Sequence, residues 1–102
     1  MIVTVFRSRL REEARSEYMA LAPQISELAR GMPGYISHKV FVAEDGERVT
    51  IVEFQDQESQ RAWATQADHV AAKKLGRASL YAEYAIQVCE VLRESKYVAP
   101  AP

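Results

Sequence analysis

The sequence predicts an α+β fold of the ferredoxin-like kind, a βαββαβ order building an antiparallel four-stranded sheet with two helices on one face. Three observations predict it. Runs of alternating apolar residues stand at both ends and in the middle of the chain; two stretches between them have apolar residues stepping by three and four; and Asp45-Gly46 marks a tight turn between the two central runs.

The first run, Ile2 to Leu10, places Ile2, Thr4 and Phe6 on one face and Val3, Val5 and Arg7 on the other, as a strand does. From Glu12 the period changes. Ala14, Tyr18, Leu21, Ile25, Leu28 and Met32 line one side of a helix, with a bend expected where Pro23 removes a hydrogen bond near Met19. Gly31-Met32-Pro33-Gly34 stops it, glycine supplying the left-handed conformation of a helix end. A strand from Tyr35 to Ala43, the Glu44-Asp45-Gly46-Glu47 turn and a strand from Arg48 to Gln55 form the central hairpin. Asp56 is placed to cap a second helix and Asp68 to cap its continuation, with a kink near Asp68. Gly76 weakens that helix, and Leu80 to Leu92 reads as the last strand.

Length and composition fit one domain, residues 1–95, followed by a flexible tail at 96–102 whose prolines donate no backbone hydrogen bond. A net charge of -1, with both signs scattered along the chain, excludes the basic stripe that binds nucleic acid. No apolar run approaches the ~20 residues of a membrane-spanning helix, and charge comes too early after Met1 for a signal peptide. The single Cys89 cannot close an internal disulfide, so a cytoplasmic location is expected, with Cys89 a small buried hydrophobe in the last strand.

Both faces of the strands are apolar: Phe6 against Val5, Phe41 against Val40, Ile51 against Val52. Two helices cover one face only, so a second copy of the chain is expected on the other, giving a homodimer. Arg7, Lys39, Glu53 and Glu83 are charges inside these strands, expected either to pair with one another or to face a polar cavity.

The strand at Ile2–Arg9, Met32-Pro33-Gly34-Tyr35, Thr50-Ile51-Val52-Glu53-Phe54, Ala62-Trp63 followed by Asp68-His69, and Tyr84-Ala85-Ile86-Gln87-Val88 together resemble the antibiotic biosynthesis monooxygenase family over residues 1 to 93. The resemblance implies a dimeric α+β barrel, two ferredoxin-like subunits packed sheet to sheet, with a substrate pocket between sheet and helices in each. It also implies one of several activities: cofactor-independent oxygenation of phenols, quinols or anthrones, or haem binding and degradation with His69 on the iron. Haem-degrading members carry an Asn on the first strand, whereas this chain has none.

His69 is the candidate catalytic residue, because an imidazole with a pKa near ~6.5 can take a proton from a phenol at neutral pH. Trp63, Tyr84 and Arg7 are the candidate substrate-binding residues: Trp63 as a pocket wall, Tyr84 and Arg7 as holders of the phenolate. Each has a structural alternative, with Trp63 as a core anchor, His69 as a helix-start residue, Tyr84 as packing and Arg7 as an ion-pair partner. On an unbroken helix the six residues from Trp63 to His69 turn the two side chains apart, unless the kink rotates them. Tyr81 and Tyr84 fall on opposite faces of a regular strand, which leaves Tyr84 as the one in the pocket. His38 lies on a strand, and the absence of HxH or HxxxH spacing argues against a metal site. No GxGxxG is present, so no flavin or nicotinamide is expected, and the predicted enzyme uses no cofactor. A dimeric small-molecule-binding or stress-response module, which needs the pocket alone, is the reading from a different class.

Overall fold

The computed structural model describes residues 1–102. Strand β1 (Ile2–Leu10) leads through one 3₁₀ turn at Glu12–Ala14 into helix α1 (Arg15–Arg30). β2 (Tyr35–Val42) and β3 (Arg48–Phe54) follow, then α2 (Gln57–Ala64), α3 (Ala67–Leu75), a π-type turn at Gly76–Leu80 and β4 (Tyr81–Glu90). The strands lie in the order β2-β3-β1-β4 with every neighbour antiparallel, which is the ferredoxin-like sheet.

Helix α1 runs unbroken through Pro23, because the pattern on both sides of the proline buries the same stripe. Gly31 ends it in a right-handed conformation, and the positive φ falls three residues later at Gly34 (79°). A side chain on Gly34 would collide with Ser59 in the first turn of α2, so glycine is required there twice over. The hairpin turn is the expected one: Gly46 adopts φ 90°, and Ala43 N–H donates to the Glu47 carbonyl at 2.8 Å.

The β1–β3 register pairs Ile2 with Phe54, Thr4 with Val52 and Phe6 with Thr50, so these even-numbered residues share the helix-covered face. The dry core sits at one end of that face, where Ala29, Phe54 and Trp63 pack with Ile25, Leu28 and Tyr35. Only 10 of 102 residues are buried, which locates the layer of helices on one side of the sheet and leaves the other side bare. That open face carries Val3, Val5, Phe41, Val49 and Ile51. The four strand charges do not pair with one another: Arg7 grips Glu47 through two hydrogen bonds (2.9 and 3.1 Å), Glu83 pairs with Arg9, Glu53 accepts from Ser37, and Lys39 lies over the Phe41 ring, 5.6 Å from its centroid. The partners come from the hairpin end because Arg7 and Arg9 are long enough to reach across β3 to the turn. Cys89 is exposed on this face rather than buried, since nothing in the chain covers β4 there. Residues 91–102 carry no helix or strand. No helix is long and apolar enough to cross a membrane.

Candidate active site

Between the helices and the sheet, beyond the dry core, lies a cavity of about 370 Å³ whose lining is mostly apolar. Phe6, Val52 and Ile86 floor it from the sheet, and Leu21, Ile25 and Trp63 roof it from the helices. The volume lies within the usual range of small-molecule pockets.

His69 and Trp63 both line it and touch each other. Helix α2 ends at Thr65, and Gln66 is extended (ψ 131°) before α3 begins, so the second helix swings back over the first. The cap is Gln66, not Asp68: its side chain accepts from the His69 N–H at 2.7 Å. The break thus lies two residues earlier than the predicted kink and does what an unbroken helix cannot. It stacks the imidazole on the indole, centroids 3.9 Å apart and planes 9° from parallel.

The His69 ring nitrogens have different fates. Nδ1 lies 2.9 Å from the Trp63 carbonyl, which can only accept, so Nδ1 carries the proton and Nε2 keeps a free lone pair. Burial pushes the His69 pKa below its usual value; the Trp63 carbonyl opposes this and the Lys73 charge reinforces it. A neutral imidazole with one unoccupied acceptor nitrogen has the form that general-base chemistry requires.

Tyr84 also lines the cavity, as expected, and so does Tyr81, which was not. The β1–β4 register pairs Arg9 with Glu83 and Leu10 with Tyr81, leaving Ala82 as the extra residue of a β-bulge. The bulge shifts the alternation by one, and both tyrosines come to the same face. They pack against each other and on Phe6 at 5.5 to 5.8 Å between centroids. Burial raises the Tyr81 pKa to about 12, so its phenol stays protonated.

Arg7 is not in this cavity. Its odd position in β1 puts it on the open face, bound to Glu47. The arginine that does line the cavity is Arg77, which donates to the Tyr84 hydroxyl from Nε (3.2 Å) and Nη2 (3.0 Å). Sequence reasoning could not reach Arg77, because its direction depends on the π-type turn that follows α3. His38 from β2 lines the cavity too, with both ring nitrogens engaged by Tyr35 (2.7 Å) and Ser26 (3.2 Å). Gln60, one helical turn before Trp63 and 8% exposed, presents a buried amide to the same space. The spacing of three from Trp63 was a legible signal for Gln60. No group of three or more His, Cys, Asp and Glu side chains is placed to hold a metal.

The sequence profile of the antibiotic biosynthesis monooxygenase family matches residues 1–75, and the chain belongs to that family. An uncharacterised Bacillus subtilis protein, YqjZ, is 28% identical over 90 residues, covering 88% of this chain and 79% of that one. Among solved structures, Rv0793 of Mycobacterium tuberculosis superposes with a TM-score of 0.82 at 20% identity, over 93% of this chain and 98% of that chain. A single-site mutant of SnoaB from Streptomyces nogalater, a cofactor-independent oxygenase, superposes at 0.77 with 16% identity, over 91% and 94%. At these identities the superpositions establish a shared fold.

Proposed function

We propose that the protein is a cofactor-independent monooxygenase acting on a small aromatic substrate, a phenol, quinol or anthrone. One observation carries the reading: His69, held in a single tautomer by the Trp63 carbonyl with its Nε2 unpartnered, lines a mostly apolar cavity. Triplet oxygen reacts slowly with closed-shell molecules, so the substrate itself must become electron-rich. His69 removes its acidic proton, the resulting anion gives an electron to oxygen, and the cavity keeps the charged species away from water. Trp63 walls the ring, and Tyr84, braced by Arg77, binds the substrate oxygen. The cofactor-independent oxygenase among the proteins of the same fold supports the reading.

The same proposal takes the working form to be a cytoplasmic homodimer joined through the open face of the sheet, where Val5, Phe41 and Ile51 otherwise meet water. The test is oxygen consumption with a panel of quinols and anthrones. Uptake that depends on His69 is expected. Tight binding of the same compounds with no uptake would replace the enzyme with a binding module.

A further inference from the structure

The cavity wall has an uneven distribution of charge. Lys73 and Arg77 are the cations among its lining residues, and no Asp or Glu lines it. Neither cation is paired with a carboxylate elsewhere. Arg77 gives two of its five N–H groups to Tyr84, which leaves three, 5 − 2, without a protein acceptor. Lys73 gives one N–H to the Ala64 carbonyl at 2.7 Å and keeps two, 3 − 1. Tyr84 accepts from Arg77, so its own O–H remains to donate. Behind this end, the Arg48 guanidinium lies 5.0 Å from the Tyr18 ring and its buried Nε has no partner. On the open face, by contrast, Arg7 is neutralised by Glu47 and Arg9 by Asp45. A cluster of donors and positive charge left without acceptors, beside aromatic rings, is a place for an anion carried on an aromatic ligand.

We infer that the substrate is an aromatic acid, its ring seated against Trp63 and its carboxylate held at the mouth by Arg77, Lys73 and the Tyr84 hydroxyl. This rests on the proposed aromatic-binding cavity and narrows the class of compound it takes. The carboxylate fixes which edge of the ring faces His69, so the cationic end sets orientation as well as affinity.

The test uses 1-hydroxy-2-naphthoate and its neutral amide, 1-hydroxy-2-naphthamide, with binding to the full chain read by fluorescence of the single Trp63. The acid is expected to bind about tenfold tighter than the amide at low salt, with the gap shrinking as salt is added. The double variant Arg77→Gln, Lys73→Gln should bring the acid to the affinity of the amide, and Arg77→Lys should restore part of the gap. Equal affinities of wild type for the two probes would overturn the acid preference and leave the aromatic cavity standing. So would an equal loss for both probes in the double variant, since that marks a role in cavity shape alone. Binding of neither probe would overturn both readings.

Discussion

The two faces of the sheet treat arginine in opposite ways. On the open face, Arg7 is held by Glu47 of the hairpin, and Arg9 by Asp45 of the hairpin and Glu83 of β4, so the arginine charge is cancelled locally. On the helix-covered face, Arg77 meets a phenol and no acid. A face whose arginines are already paired presents less net charge to a second protein surface than one whose cations stand alone. A face whose cations stand unpaired is suited to a ligand that brings the counter-charge. On the proposed reading, assembly belongs to one side of the sheet and chemistry to the other.

Four experiments break or sharpen this division. The largest effect is expected from His69→Ala, which should cut turnover of an identified substrate by ~100 to 10,000-fold while the fold and the assembly persist. Unchanged turnover would remove His69 from the mechanism. On the other face, Ile51→Asp places a charge where a second sheet would pack. Light scattering should report about twice 11.5 kDa for the wild type at micromolar concentration, and 11.5 kDa for the variant. A wild-type mass of one subunit would remove the open face from assembly. A third contrast lies within the cavity. His38→Ala leaves the Tyr35 hydroxyl and Ser26 without their shared partner, so it should cost ~1 to 3 kcal/mol of stability in denaturant titration, with a smaller loss of turnover than His69→Ala. A larger loss of turnover in His38→Ala would exchange the roles of the two histidines.

The smallest effect is expected from pH. Burial holds both His38 and His69 below the usual histidine value of 6.5, with Arg30 and Lys73 adding to the depression. The unfolded chain therefore binds more protons than the folded one at mildly acidic pH. This contribution to stability is complete above pH 6.5 and is lost as pH falls from there towards the depressed folded values. Melting temperature should decline over that window, and the decline should be shallower in His69→Ala. Turnover should rise with pH through the same window and be level at neutrality, because the base is already deprotonated there. An inflection of turnover above pH 7 would assign it to another group.

Much of the fold was legible because it depends on periodicity. The change from period two to period 3.6 located all four strands and the helices between them, and Asp45-Gly46 marked the hairpin residue for residue. The site was legible only where local geometry is regular. Trp63, His69 and Tyr84 do line the cavity, but the way they meet depends on two irregularities with faint sequence signals. Gln66 caps α3 although Asp68 is the stronger cap former on propensity, because the chain must turn before His69 and not after it. Ala82 resembles any other strand residue, so the bulge that adds Tyr81 to the cavity cannot be read from it. Arg7 was misplaced for a different reason: its alternation with Phe6 already put it on the far face, and chemical suitability cannot override that parity.

The bulge at Ala82 also makes the cavity tolerant of a change in chain length. Because Ala82 is the one residue of the strand without a partner in β1, removing its single codon would restore uninterrupted alternation and keep Tyr81 opposite Leu10, on the cavity side of the sheet. The pairing from Ser8 with Tyr84 onward would stay in place. A one-residue deletion at this point therefore leaves the aromatic wall of Phe6, Tyr18, Tyr81 and Tyr84 standing. The start of β4 can lose a residue without the cavity losing a wall, so a wider ring system is admitted by replacing a wall residue and not by shortening the strand.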